Sequence, residues 1–315
     1  MKILISGSTG LIGHELVNFL QKNGHSIGVL VRKKKKCSDS GCGCPCDKGS
    51  AGQIQEIFWN PDTGEIDRNE LEGYDGVVHL AGESIAEGRW NAAKKQRILE
   101  SRVKGTELLC SALSQLKSKP KIMVSSSAIG FYGSRADEEL SEKSTAGEGF
   151  LADVCKKWES ATVSAKNAGI RVVNLRTGMV LSKKGGALGK MLFPFKMGLG
   201  GVIGSGKQWM SWIGIDDLVG LIDFALQETG VVGPLNGVAP NPVTNREFTK
   251  SLGKVLGRPT IFPMPGFIAK IAFGEMADAL LLSSTRVVPS EAIRYGYRFK
   301  WNRLEECLAG LLNRE

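Results

Sequence analysis

An α/β fold built on a doubly wound parallel sheet is predicted by three features of the 315-residue chain. An apolar segment, Ile3-Leu-Ile5, runs straight into glycines at positions 7, 10 and 13. Short apolar runs then alternate with longer stretches at helical spacing as far as residue 176, the pattern of strands joined by helical crossovers. A second apolar strand, Val29-Leu-Val31, ends on Arg32 and closes one βαβ unit around the glycine turn.

In the first unit, Ile3 to Ile5 read as a buried strand. Gly7 allows a tight turn, Gly10 lets backbone amides approach a pyrophosphate, and Gly13 lets the helix pack close to the sheet, as in a Rossmann-type dinucleotide fold. Ser8, Thr9, Leu11 and Ile12 fill the turn and the first helical residues, whose free N–H groups and partial positive charge suit phosphates. Leu11, Leu16, Val17, Phe19 and Leu20 recur at helical spacing. Arg32 stands where an NAD-selective site carries an acidic residue. A cation there favours a 2′-phosphate, hence NADP(H). Its alternative is pairing with a surface carboxylate.

Residues 33–52, KKKKCSDSGCGCPCDKGSAG, are charged, Gly/Ser-rich and apolar-poor, and read as a loop insertion. Ile54 to Trp59 resume a strand, and Asn60-Pro-Asp-Thr-Gly64 is a turn. Gly76-Val-Val-His-Leu-Ala-Gly82 is a buried strand with its exit loop. Trp90 to Leu116 read as one long helix with Ile98, Val103, Leu108, Leu109 and Leu113 inward. Lys121 to Ser126 are a strand, Phe150 to Ala168 a helix and Ile170 to Leu175 a strand. These elements make residues 1–176 an NADP-binding domain. In residues 177–315, a smaller C-terminal substrate lobe with elements packing back on the first domain, glycines at 185, 186, 198, 200, 201, 204 and 206 crowd near Phe193, Phe195, Trp209 and Trp212. That texture reads as irregular backbone lining a pocket. Asp216-Asp217 open a helix reaching Leu226 and read as N-terminal caps ahead of metal ligands. Phe248 to Leu256 and Phe267 to Leu282 are further helical stretches.

The formal charge is +9, and Lys33 to Lys36 supply four of those charges. No basic helix with interleaved aromatics exists, so nucleic acid is not an expected partner. No apolar run is long enough to cross a bilayer, so no membrane partner is expected either. A core strand at the very start reads as the absence of a targeting segment and a cytoplasmic or stromal location. The partner expected is a small-molecule substrate; the sequence specifies no oligomeric state.

Several further motifs carry a resemblance. Gly7-x-x-Gly10-x-x-Gly13, His79-Leu-Ala-Gly82, Arg102-Val-Lys-Gly-Thr106, Ser125-Ser-Ser127 and Phe131-Tyr-Gly133 resemble an extended short-chain dehydrogenase/reductase. Glu83, Arg89-Trp90, Trp158-Glu159, Arg176-Thr-Gly178, Phe193-Pro-Phe195, Gly204-Ser-Gly-Lys-Gln-Trp-Met-Ser-Trp212 and Asn236-Gly-Val-Ala-Pro240 narrow this. They are similar to the atypical "epimerase family protein" branch of the NAD(P)-dependent epimerase/dehydratase superfamily. Arg286-Val-Val-Pro289 and Gly296-Tyr-Arg-Phe299 resemble the C-terminal module of that branch. The likeness covers nearly the whole chain outside the insertion. It implies that Leu80, Ala81 and Gly82 run under the cofactor ribose, where small residues let backbone approach the ligand. It puts Val180 on the nicotinamide side, with simple core packing as the alternative. Arg102 takes a place where related enzymes usually carry Asn; it either reaches a phosphate or is an exposed helix arginine.

Extended reductases move a proton with a Tyr-x-x-x-Lys pair, the lysine lowering the tyrosine pKa. The four tyrosines here, Tyr74, Tyr132, Tyr295 and Tyr297, are followed four residues on by Val78, Ala136, Phe299 and Trp301. Aligned through Glu159, the pair falls on Leu151 and Cys155, neither of which replaces it. Ser127 matches the family hydroxyl that holds a substrate oxygen. Tyr132 and Glu83 are the remaining acid–base candidates, and a partly buried Glu83 is expected to have a raised pKa. Their alternatives are packing for Tyr132 and capping for Glu83. A His often follows Trp-Ile in the branch; here Gly214 follows Ile213.

Cys37, Cys42, Cys44 and Cys46 lie within ten residues, but C-x-C-x-C is not zinc-knuckle spacing. A mobile loop leads metal binding and a reversible disulfide as their reading. The sequence therefore supports an NADP(H)-binding, epimerase- or reductase-like protein of atypical mechanism acting on a small polar or nucleotide-linked molecule. A non-catalytic NADP(H)-sensing regulator is second. A metal-responsive protein built on the cysteine loop is third.

Overall fold

A computed structural model describes residues 1–32 and 54–313; Cys37, Cys42, Cys44 and Cys46 lie outside the described residues. The chain runs β1 (Lys2–Ser6), α1 (Leu11–Lys22), β2 (Ser26–Val31), β3 (Gln55–Asn60), β4 (Glu65–Ile66), β5 (Gly76–His79), α2 (Ala92–Ser114), β6 (Ile122–Ala128), β7 (Glu139–Leu140), α3 (Phe150–Ser160), α4 (Val163–Asn167), β8 (Arg171–Thr177) and β9 (Met179–Leu181). It continues with α5 (Gly186–Lys196), β10 (Trp209–Met210), β11 (Trp212–Gly214), α6 (Ile215–Gln227), β12 (Gly233–Gly237), β13 (Val243–Thr244), α7 (Asn245–Leu256), α8 (Gly266–Phe273), β14 (Arg286–Val287), α9 (Ser290–Arg294) and α10 (Leu304–Leu312).

One sheet has the order β12-β8-β6-β5-β1-β2-β3-β4. Every neighbouring pair in it is parallel except β3 with β4, which the Asn60–Gly64 turn joins as a hairpin. Strand alternation divides the core. Ile3, Ile5, Val78, Val124, Val173 and Leu175 face α1, α6 and α10. Leu4, Val77, Met123 and Val172 face α2 and α4 on the other side. Both faces are covered, so the strands read as continuous apolar runs. The chain leaves β1 toward β2 and β3 and later returns to β5 on the other side, so a crevice opens where the order reverses, at the carboxyl ends of the strands. This is the Rossmann-type doubly wound sheet that the glycine turn predicts.

Five expectations change, the last at the start of α6. The helix expected over 150–168 breaks into α3 and α4. Thr162 donates its hydroxyl to the Glu159 carbonyl at 2.7 Å and its amide to the same oxygen, which tightens the turn and ends the α-helical ladder. The stretch 267–282 ends as an α-helix at Phe273, because Gly274 adopts φ +61° as its C-cap. The glycine-rich stretch is partly helical: α5 forms despite Gly189 and Pro194, since Leu188 and Phe195 are buried and Met191 and Leu192 pack on the core. Its aromatics do not share one pocket, for Trp212 is a fully buried core residue while Phe193 is 75% exposed.

Asp216 and Asp217 lie in the first turn of α6, yet no side chain caps that helix. The Asp217 carboxylate instead accepts from the amides of Lys300 (2.7 Å) and Trp301 (3.0 Å), and Tyr297 donates its hydroxyl to the Asp217 carbonyl. The C-terminal segment is thereby tied to the main sheet, and α10 buries Leu304, Leu308 and Leu311 in the same core. Among the described residues no helix is long and apolar enough to cross a membrane.

Candidate functional site: a cleft at the carboxyl ends of β1, β5 and β6

A cleft of about 430 Å³ opens where the sheet order reverses. Gly7, Gly10, Leu11, Ile12 and Gly13 line one side; Leu80, Gly82, Glu83 and Arg102 line another, with Val180 across from them. All ten were singled out in the sequence. Ser84, Ile85, Ala86, Ser126, Met179, Gly186 and Ala187 also line it. Ser126 stands inside the Ser125-Ser-Ser127 motif, Gly186 is one of the crowded glycines and Met179 adjoins Gly178, but nothing in Ser84-Ile-Ala86 marks a cleft wall. The Lys190 ammonium donates to the Ala86 carbonyl at 2.7 Å, and Arg89, three residues on, donates to the Ile271 carbonyl at 2.7 Å, which ties this segment to α5 and α8.

The glycine turn is sterically set. Gly7 has φ +73°, and a Cβ on it would meet Ala81 N and Leu80 C at 2.9 Å. A Cβ on Gly13 would lie 2.1 Å from the Gly7 carbonyl oxygen, so α1 packs on the turn at a distance only glycine permits. At Gly10 a Cβ would meet only that same oxygen, at 3.4 Å, leaving the cleft side open. Helix α1 starts at Gly10 with no side-chain cap among the described residues, and Gly10 to Gly13 line the cleft, so the first amides of the helix are available there to an anion. Ser8 and Thr9 form the turn without lining the cleft, and Arg32 is exposed just beyond β2.

The Leu80–Gly82 wall hangs on a buried network. Ser6 Oγ accepts from the amides of Leu80 (3.2 Å) and Ala81 (3.3 Å) and lies 2.6 Å from His79 Nδ1. His79 Nε2 lies 3.1 Å from Thr106 Oγ1, which donates to the Arg102 carbonyl (2.7 Å) and accepts from Trp158 Nε1 (3.0 Å). Burial pushes the His79 pKa down to about 4, so the ring is neutral. Arg102 donates to the carbonyls of Glu83 (3.0 Å) and Ile98 (3.1 Å), and its guanidinium stacks over Trp158. Gly82 lies beneath it, since a Cβ there would be 3.4 Å from the Arg102 Cζ. Arg102 is therefore part of the cleft wall.

The acid–base candidates fare differently. Glu83 does reach the cleft, but the Lys94 ammonium 2.8 Å from its carboxylate lowers its pKa, with Arg97 and Arg102 adding to the effect. The expected rise is corrected to a fall: attraction to cations outweighs the modest burial. Tyr132 is fully buried; its hydroxyl donates to Asn236 Oδ1 (2.7 Å) and accepts from Arg176 Nη1 (3.0 Å). Burial raises its pKa against the pull of Arg176. That phenol is enclosed and committed, which removes it from the cleft's proton donors. Ser127, 4% exposed and next to Ser126, donates its hydroxyl to Glu159 Oε1 at 2.7 Å. Glu159 is gripped by the Arg176 fork at 2.8 and 2.9 Å. Sequence reasoning missed this pairing, although both residues stood in quoted motifs. Cys155, where the lysine of the usual pair would stand, is a buried thiol pushed up to about 11, first by burial and then by Glu159.

The sequence pattern of the NAD dependent epimerase/dehydratase family matches residues 3–235, and a domain of unknown function, DUF1731, matches residues 264–311. An epimerase family protein of Mycobacterium bovis, Mb2239, is 40% identical over 306 residues, 97% of this chain and 96% of that protein. The crystal structure of human epimerase family protein SDR39U1 with NADPH superposes with a TM-score of 0.86 at 33% identity, covering 100% of both chains. A structure described as a nucleoside-diphosphate sugar epimerase from Corynebacterium glutamicum gives 0.78 at 35% identity, over 99% of this chain and 58% of that one. A cleft framed by the glycine turn, a family pattern spanning most of the chain, and the mycobacterial and human relatives alike along nearly their whole length agree: this chain belongs to the NAD dependent epimerase/dehydratase family, in an atypical extended short-chain dehydrogenase/reductase branch.

Proposed function

We propose that the chain binds NADP(H) in this cleft and acts as an epimerase- or reductase-like oxidoreductase on a small polar or nucleotide-linked molecule, without a Tyr-x-x-x-Lys pair. The observation that carries the reading is the convergence of Gly7, Gly10, Leu11, Ile12, Gly13, Leu80, Gly82, Arg102 and Val180 on one cleft that faces the uncapped start of α1. The α1 amides would hold the pyrophosphate, and the Leu80–Gly82 backbone would run under the ribose. Met179 and Val180 would wall the nicotinamide side. Arg32 supports the phosphorylated form of the coenzyme, as does the human relative solved with NADPH. When bound, the coenzyme supplies or accepts a hydride.

For the accompanying proton we assign Ser127, which is buried beside Ser126 of the cleft wall and has Glu159 behind it. The Ser127 hydrogen is committed to Glu159, so Ser127 offers oxygen lone pairs to a ligand and would accept from a substrate hydroxyl. The reading is tested by titrating wild type and Arg32→Ala with NADPH and NADH. Wild type should prefer NADPH, and the variant should lose most of that preference; equal affinities in wild type would refute the coenzyme assignment.

A second reading, a non-catalytic NADP(H) sensor, is favoured by one observation: the two other acid–base candidates are an ion-paired Glu83 and an enclosed Tyr132. Nicotinamide absorbance followed with carbonyl and sugar-nucleotide compounds separates the readings, because turnover that Ser127→Ala abolishes belongs only to the first.

A further inference from the structure

We propose that His79 is a positioning residue for the coenzyme, and that one proton, held on its Nε2, fixes both walls of the cleft. The inference rests on the NADP(H) reading above. Its warrant is a count of hydrogens. The Thr106 hydroxyl has one, and it goes to the Arg102 carbonyl at 2.7 Å. Trp158 Nε1 can only donate, so it takes one Thr106 lone pair. Thr106 then faces His79 Nε2 as an acceptor at 3.1 Å, which puts the ring proton on Nε2.

His79 Nδ1 is therefore the acceptor, and the Ser6 hydroxyl donates to it across 2.6 Å. With its hydrogen so engaged, Ser6 Oγ presents both lone pairs to the amides of Leu80 and Ala81. Every hydrogen in the chain then meets an acceptor, the Leu80 amide being shared between Ser6 Oγ and the Ser6 carbonyl, each at 3.2 Å. The opposite tautomer leaves Ser6 facing three donors and gives Thr106 one hydrogen for two acceptors. Both residues are fully buried, so no water relieves the conflict.

The consequence lies in the cleft. Ser6 precedes Gly7, whose backbone packs on Leu80 and Ala81, so Ser6 ties the phosphate turn to the ribose wall. Thr106 carries the same constraint to Arg102, whose guanidinium covers Gly82. Neither His79 nor Thr106 lines the cleft. Their effect on coenzyme binding would be exerted only through the loop and Arg102.

The test joins two readouts on the full chain: the His79 tautomer from nitrogen-15 NMR of histidine-labelled protein, and NADPH affinity from calorimetry. Wild type should show the Nε2–H form. Thr106→Val removes the acceptor, so the ring should shift toward Nδ1–H and NADPH affinity should fall about tenfold, the effect of one unsatisfied buried group. Thr106→Ser should restore both. Ser6→Ala should weaken NADPH to a similar degree while leaving the proton on Nε2, which keeps the proposal testable if Thr106→Val fails to fold. An Nδ1–H ring in wild type overturns the proposal, as does wild-type affinity in folded Thr106→Val or Ser6→Ala. Wild type that binds no NADPH refutes the coenzyme reading itself and the proposal with it; the tautomer then still reports separately whether the network is as described.

Discussion

Glu83 and Lys94 form a pair whose members differ in exposure: the carboxylate side chain is 37% exposed and the lysine 8%. Removing the carboxylate strands a nearly buried ammonium. Glu83→Gln should therefore destabilise the fold by about 1–2 kcal/mol in urea denaturation. A catalytic base at that position would predict a lost limb in a pH profile with stability intact. Tyr132 makes a comparable case inside the molecule. Its hydroxyl links Asn236 to Arg176, and Arg176 also lies 3.5 Å over the Phe131 ring. Tyr132→Phe should cost about 1–2 kcal/mol of stability without changing NADPH affinity, measured by urea denaturation and calorimetry on the same preparation. Loss of NADPH binding in folded Tyr132→Phe would contradict the enclosed position described for this residue.

Helix α2 carries four groups that shape the cleft: Lys94, Arg102, Thr106 and the Ile98 carbonyl. It begins at Asn91, whose side chain accepts from the Lys94 amide at 2.8 Å. Asn91→Ala should cost about 1 kcal/mol, read from thermal or urea unfolding, and an unchanged stability would show that the cap is dispensable. At this scale the sequence was most readable where one periodicity governs. The strands ending at Ser6, Val31, His79 and Ala128 and the helix α1 announce themselves, because their apolar spacing matches burial on the sheet. The α3–α4 break was not readable, since it depends on one hydroxyl of Thr162 choosing a backbone carbonyl over solvent. Helix α5 was hidden behind its glycines and Pro194, which lower helix propensity while tertiary burial of Leu188 and Phe195 overrides it. The glycine turn of the cleft was legible because glycine is required where backbone meets backbone. The Ser127–Glu159–Arg176 cluster was not, because residues far apart in sequence meet only once β6, α3 and β8 are assembled.

At the scale of the molecule, one sheet collects both the cleft and the buried groups that support it, so pH acts on the two together. In the unfolded chain His79 takes up a proton near the ordinary histidine value of about 6.5; in the folded chain it resists until about 4. Its stabilising contribution is complete above the unfolded value and is lost as pH falls through that window, on the order of 3 kcal/mol. Urea unfolding at pH 7 and pH 4 should show that loss, and His79→Gln should show a smaller one; equal losses in the two proteins would contradict the buried neutral ring. The same sheet places the α1 amides opposite the Leu80–Gly82 wall, and this juxtaposition is the central claim. Hydrogen exchange with and without NADPH reads it most directly. The account predicts that NADPH slows exchange at the amides of Leu11 to Gly13 and Leu80 to Gly82 together. Protection confined to other segments, or none at saturating NADPH, would contradict it.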